Sequence, residues 1–441
     1  MNRPSSIERL ILEEGGRVTL ARFMELALTH PRLGYYSQVE NLLGRRGDFD
    51  TAPALSPFFC RTLARLVTEM VDAALAFGLV PPGQSAAVIE LGGGEGHLAQ
   101  AVLSYWHENR PGWRGRVAYR FVEIGPGLRQ RQQEAIGSAV AAGWQVGWGS
   151  DLAEACQGVV PVTMVGNEFL DALPVHLLDA NQGEIREAYV EVGVPQASSP
   201  AGHAHSLGQA GLTLTESWGP PSDAALSELE LLFGPGPAER AESGHLDPHN
   251  LSAFTTDGML EIRPAVGDFL QEAAKIMPTG TLILVDYGEW CPVGPQPDSQ
   301  PCRPAPSPPS EFAAPALKRR RRTLRGYFKN QLVTEILAHP GRQDLTADVD
   351  FAAFGLHARR LGFQCVVFTN LGAFLRAGGA GEELLRLHQV QAQAERDALE
   401  ADREATVLAA LLDERDLGSA FKLLVLAREQ TGEGSYQTDD Q

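Results

Sequence analysis

Leu20, Phe23, Met24, Ala27 and Leu28 set apolar side chains at i, i+3 and i+4 spacing, which predicts an amphipathic helix ended by His30-Pro31-Arg32-Leu33-Gly34. A second helical stretch over about 56–77 puts Phe59, Leu63, Leu66, Val67 and Met70 on one face, before Pro81-Pro82-Gly83 breaks the chain again. No strand is evident before residue 84, so residues 1–84 read as an N-terminal helical cap. From Ala86 the pattern changes to short apolar runs separated by helical stretches. Strands are expected at 86–91, 117–123, 144–147, 159–165 and 281–285, with helices over 96–108 and 126–142. Further on come a helix over 349–361, a strand over 364–369, a long charged helix over about 381–414 and a last strand over 421–426. Strands alternating with helices predict an α/β fold, with a seven-stranded, mainly parallel sheet covered on both faces.

Two stretches interrupt this rhythm. Residues 193–250 are rich in Gly, Pro, Ser and His, and residues 292–315 are dense in proline; both read as surface insertions. His203, His205, His245 and His249 lie in the first of them without a ligand framework, so they are taken as solvated loop histidines. The run Lys318-Arg319-Arg320-Arg321-Arg322 lacks interleaved aromatics and reads as a solvated basic tract. The expected organisation is therefore the cap, the first part of a core at 85–290 with an insertion near 193–250, a linker at 291–322, a segment at 323–430 completing the core, and a tail at 431–441.

At 441 residues there is ample chain for a large core. The formal charge of −18 disfavours nucleic acid as a partner. Five widely spaced cysteines (Cys60, Cys156, Cys291, Cys302, Cys365) form no C-x-x-C pair, so reduced thiols are expected. The first sixteen residues lack a continuous apolar region of signal-peptide length, and no uncharged apolar run reaches the roughly 18 residues that would span a bilayer. A cytoplasmic protein without a membrane span is expected.

Chemistry concentrates where the first core strand ends. Val88-Ile89-Glu90-Leu91 runs into Gly92-Gly93-Gly94-Glu95-Gly96 and a helix, and the next strand ends in Glu123. Strand, glycine turn, helix and an acidic residue at the next strand end describe a nucleotide-type site. The dinucleotide spacing G-x-G-x-x-G fails from Gly92, because His97 takes the sixth place, and fits only as Gly94-x-Gly96-x-x-Ala99. The alternative, Glu90-x-Gly92-x-Gly94-x-Gly96, is the acid-then-alternating-glycine loop of S-adenosyl-L-methionine sites. There Glu123 would accept the ribose hydroxyls, and Trp148 and Asp151 past the third strand would flank and hydrogen-bond adenine, although Trp148 fits a core position equally well. The strand over 159–165 ends in Gly166-Asn167-Glu168, with Asp171 following. In an open parallel sheet these strand ends face one crevice, so Asn167 and Glu168 should meet Gly92; Asp171 reads either as a site carboxylate or as a helix cap.

These motifs resemble those of the MidA-like methyltransferases, a family that includes a mitochondrial arginine methyltransferase of complex I assembly. His30 to Tyr36 and Gly47-Asp48-Phe49-Asp50-Thr51-Ala52-Pro53 are similar to its N-terminal signatures, and Asn167 to Pro174 to its N-E-F-F-D-A-L-P motif. Phe121-Val122-Glu123, Val285-Asp286-Tyr287-Gly288, Asp344 to Phe351 and Phe421-Lys422 follow in order. The resemblance implies a class I, Rossmann-like methyltransferase using S-adenosyl-L-methionine and a protein arginine acceptor. It also implies that Asp48 through Pro53, including Thr51, close over the cofactor. Glu168 and Asp171 are the candidate catalytic carboxylates, because a cationic guanidinium needs an anion to orient it and accept its proton. A small-molecule acceptor, or a diverged assembly protein, stands as the alternative. The family's E-L-G-P-G-R-G reads here with Gly93 and Glu95, and Ala54, Asp348 and Asn370 also depart from its pattern.

Overall fold

The computed structural model describes residues 6–38, 56–180, 184–193, 212–233, 255, 258–290, 321–329, 331–391, 395–415 and 417–429. The candidates Asp48 and Thr51, the four insertion histidines and Lys318 to Arg320 lie outside them.

Seven strands form the main sheet: β1 (Ala86–Leu91), β2 (Val117–Val122), β3 (Gln145–Gly149), β4 (Val160–Asn167), β5 (Gly280–Glu289), β6 (Phe363–Asn370) and β7 (Phe421–Arg428). They lie in the order β6-β7-β5-β4-β1-β2-β3, and the short pair Val349–Asp350 adds to the end of β5. β7 runs antiparallel to both its neighbours, while β5, β4, β1, β2 and β3 pair in parallel. This is the seven-stranded, mainly parallel sheet that the alternating strands and helices predict, and it fits the class I fold that the family resemblance implies. β1 is buried at every position. Its alternate residues serve two cores: Val88 packs with the helix Pro57–Ala76 side, and Ile89 with the Pro264–Ile276 side. Burial on both faces is why such a strand reads as an unbroken apolar run.

The helix Pro57–Ala76 begins where Ser56 accepts a hydrogen bond from the Phe59 N–H and Pro57 occupies the first turn. Its Thr68 hydroxyl accepts from the Trp106 indole at 3.0 Å, tying it to the helix His97–Asn109. The stretch read as one helix over 126–142 divides into Pro126–Ala135 and Gly137–Ala141, and the charged helix into Ala380–Gln391 and Glu395–Leu412.

A second sheet was not foreseen. Arg17–Thr19, Arg186–Gly193, His176–Asp179 and Met259–Ile262 pair antiparallel, and Thr213–Gly219 joins the edge of Arg186–Gly193. The N-terminal segment thus does contain a strand, and part of the 193–250 insertion is ordered strand and helix (Asp223–Phe233). The apolar faces of Leu20–Thr29 and this sheet share a core with Leu345 and Ala347. That core lays the segment after the helix across the C-terminal ends of the main sheet.

Candidate functional site

The strand order reverses between β1 and β4, and ligands of open α/β sheets bind outside the strand ends at such a switch point. A cavity of about 290 Å³ opens there. Its floor is the glycine turn. Gly92, Gly94 and Gly96 adopt φ of 62°, 51° and 88°, a left-handed region that side-chain-bearing residues avoid. Gly93 meets a different limit: a Cβ there would lie 2.7 Å from the Phe121 ring.

Glu123, at the end of β2, is buried, and its carboxylate is fixed by two donors, the Gly125 N–H at 2.8 Å and the Gln132 amide at 3.0 Å. The same Gln132 amide reaches the Gly94 carbonyl at 2.9 Å, and its oxygen accepts from the Trp148 indole at 2.9 Å. Burial raises Glu123 to about 7 against those donors. Glu90 beside it is pushed up to about 8 by burial, against the hydrogen bond its carboxylate accepts from Tyr119 at 2.9 Å. Both carboxyls take up protons on folding, so this pair stabilises the fold at low pH and costs it stability as pH rises from about 4.5 through 8. Glu90→Gln keeps the acceptor for Tyr119 and cannot ionise. Its melting temperature should match wild type near pH 5 and exceed it by a few degrees at pH 9, on the order of 1 kcal/mol or more. Equal differences at the two pH values in calorimetric scans would remove the ionisation account.

At the other end, Glu168 follows β4 with φ of 51°, held by its own N–H to the Val285 carbonyl at 2.8 Å, and accepts from the Asn167 amide at 2.9 Å. Asp286 accepts the backbone N–H groups of Leu170 at 2.8 Å, Phe169 at 3.2 Å and Asp171 at 3.3 Å, which shapes the turn after β4. Burial, together with the nearby Asp171 and Glu168 charges, raises Asp286 well above an ordinary carboxylate. One oxygen of Asp171 takes the Tyr287 hydroxyl at 2.5 Å and the Thr346 hydroxyl at 2.7 Å; the other, Oδ1, is buried without a hydrogen-bond partner. Tyr287 and Thr346 also contact each other through their hydroxyls. Asp344 completes this end and accepts from the Tyr36 hydroxyl at 3.0 Å.

Of the residues read from the sequence, Glu90, Gly92, Gly94, Glu123, Asn167, Glu168 and Asp171 line one cavity. Gly96 stands behind it as the N-cap of the helix His97–Asn109. Trp148 and Asp151 are outside the lining. The indole stacks on Phe121, 5.4 Å between centroids at 7°, and supports Gln132; Asp151 caps a short helix by accepting the Glu154 N–H at 2.8 Å. Tyr36, Tyr287, Asp344 and Thr346 also line the cavity, though no role was read for them; each sat inside a quoted motif. The altered Glu95 is neutralised by Arg131 at 2.5 Å, and the altered Asp348 pairs with Arg325 at 2.8 Å. Neither adds an unbalanced charge.

The cavity therefore offers flexible-backbone glycines and a buried carboxylate at one end, and unpartnered buried polar atoms, Asn167 Oδ1 and Asp171 Oδ1, at the other. This set of acceptors suits the ribose hydroxyls and the ammonium group of an adenosyl ligand with an amino-acid tail.

Known proteins agree. The chain is 26% identical over 431 residues to the fruit fly protein arginine methyltransferase NDUFAF7 homolog, mitochondrial, covering 93% of this chain and 82% of that one. It is 24% identical over 363 residues to the human protein arginine methyltransferase NDUFAF7, mitochondrial, covering 77% and 65%. A crystal structure from Burkholderia thailandensis, bound to S-adenosyl-homocysteine, superposes with a TM-score of 0.67 at 25% identity, covering 97% of this chain and 92% of that one. These relatives overturn the cytoplasmic expectation: the curated ones are named mitochondrial proteins. The missing apolar run had tested for a secretory signal, whereas organellar targeting segments are amphipathic and need no such run. A family described as "Putative S-adenosyl-L-methionine-dependent methyltransferase" matches residues 62–369, most of the chain. The chain belongs to this family of S-adenosyl-L-methionine-dependent methyltransferases.

Proposed function

We propose that the protein methylates the guanidinium of an arginine side chain in a protein, with Glu168 and Asp171 as the carboxylates that hold it. One observation carries the reading. Among the described residues lining the cavity are six carboxyl groups (Glu90, Glu95, Glu123, Glu168, Asp171 and Asp344) and no lysine or arginine. Arg263 and Arg325 stand outside the lining, Arg325 over the Tyr287 ring at 5.1 Å. With Glu95 balanced by Arg131, and Glu90 and Glu123 raised to about 8 and 7, it is Glu168, Asp171 and Asp344 that make the wall favour cations over anionic acceptors. The curated relatives are named protein arginine methyltransferases, which supports arginine among cationic acceptors.

When bound, S-adenosyl-L-methionine supplies an electrophilic methyl on a sulfonium, and displacement leaves the bonding pair on sulfur. The protein's part is alignment, exclusion of water and removal of a proton. Asp171 Oδ1 accepts a guanidinium N–H while Tyr287 and Thr346 fix its other oxygen. Glu168, aimed by its left-handed backbone, takes a second N–H and then the departing proton. Gly92 to Gly96 cradle the methionine part of the cofactor, Asn167 donates or accepts near it, and Glu123 holds the ribose. Asp48 and Thr51, which the family resemblance implies close over the cofactor, lie outside the described residues; Trp148 acts on the cofactor only through the Gln132 it supports, and Asp151 only through the helix it caps after β3.

Labelled cofactor with host lysate, followed by mass spectrometry, should place the label on methylarginine in protein; label confined to small molecules would overturn the acceptor. Glu168→Gln should bind cofactor normally and transfer at least about tenfold more slowly. Full transfer activity would remove its role. The net charge of −18 and the acidic cavity speak against nucleic acid. No described helix is long and apolar enough to cross a membrane.

A further inference from the structure

We propose that Asp344 and Tyr36 form a specificity-determining wall of the acceptor pocket, which selects a guanidinium over an ammonium. The inference rests on the cationic-acceptor reading above. Asp344 and Thr346 are two residues apart on the strand Asp344–Thr346, so both point to one face, and both line the cavity. Thr346 holds Asp171, which places a second carboxylate, Asp344, on the wall that carries the first. The Tyr36 hydroxyl is tied to Asp344 at 3.0 Å, and burial first, then the charges of Asp344 and Asp171, hold that phenol protonated.

Tyr36 is itself anchored firmly. Gln38 donates to the Leu33 carbonyl at 2.9 Å and to the Gly341 carbonyl at 2.8 Å, closing the segment onto the loop that leads into Asp344. On its other side the Tyr36 carbonyl packs so close to Gly125 that a Cβ there would lie 2.3 Å from it. The ring is therefore placed by the backbone of both the cofactor end and the acceptor end. A guanidinium is a planar fork whose five N–H donors are spread over three nitrogens; an ammonium gathers three donors on one compact nitrogen. Two carboxylates along one wall, Asp171 and Asp344, can thus take different N–H groups of the planar fork, where a single carboxylate would read charge alone.

The test uses full-length protein saturated with S-adenosyl-homocysteine and titrated with N-acetyl-argininamide or N-acetyl-lysinamide. Wild type should prefer the arginine probe. Asp344→Asn, which still accepts from Tyr36, should weaken the arginine probe by about tenfold, weaken the lysine probe by less than about threefold, and leave S-adenosyl-homocysteine affinity within about twofold. Tyr36→Phe, which keeps the ring, should shift the preference in the same direction and serves if Asp344→Asn does not fold. Equal weakening of both probes, or no change in either, overturns the inference while arginine transfer by wild type stands. A wild type that binds neither probe and labels no arginine in lysate overturns both readings together.

Discussion

Asp171→Asn is expected to depress methyl transfer by about 10²–10³-fold, the size seen when a single group aimed at the reacting centre is lost. The amide can still accept from Tyr287 and Thr346, so the turn after β4 keeps its shape. What changes is the oxygen without a protein partner, which becomes an N–H₂ group facing the acceptor cation. Repulsion replaces attraction at one atom. The substitution also removes a charge beside Asp286 and Glu168, so thermal stability should hold or rise. Single-turnover transfer with an arginine acceptor, beside calorimetric titration of S-adenosyl-homocysteine, separates the effects. A rate within about twofold of wild type would mean that Asp171 is no more than a turn residue.

Glu123→Ala should weaken cofactor affinity by about 10²-fold, since two hydroxyl hydrogen bonds to a buried carboxylate are lost. The Gln132 amide and the Gly125 N–H lose their acceptor too, which should cost about 1–3 kcal/mol of stability. The pH dependence gives a sharper signature. With Glu123 raised to about 7, the free site takes up a proton as pH falls through that value, and a protonated carboxyl is a poorer acceptor for ribose hydroxyls. Wild-type affinity should therefore decline below about pH 7, whereas Glu123→Ala should stay flat across the same range. Parallel pH profiles for the two proteins would detach Glu123 from the ribose.

The main sheet was legible because β1, β4 and β5 are buried on both faces and so appear as apolar runs of strand length. The glycine turn was legible because its conformation excludes other residues. The second sheet escaped notice for physical reasons: Arg17–Thr19 has three residues and His176–Asp179 four, too few for a period to emerge. Contacts across long stretches of chain were equally hidden. Tyr36 meets Asp344 across 308 positions, and no local pattern announces that meeting. Glu95, a departure from the family pattern, is a second case: the fold brings Arg131 to it from 36 positions away.

Glu168 carries a further consequence. A side-chain-bearing residue at φ of 51° costs of order 1 kcal/mol or more that glycine would avoid. Random substitution screened for folding alone should therefore favour glycine at this position. Selection for turnover would oppose it, because glycine has no carboxylate to aim. Residue 168 should be a place where hardier variants are poorer methyltransferases, and a library sorted once for heat resistance and once for transfer should diverge there.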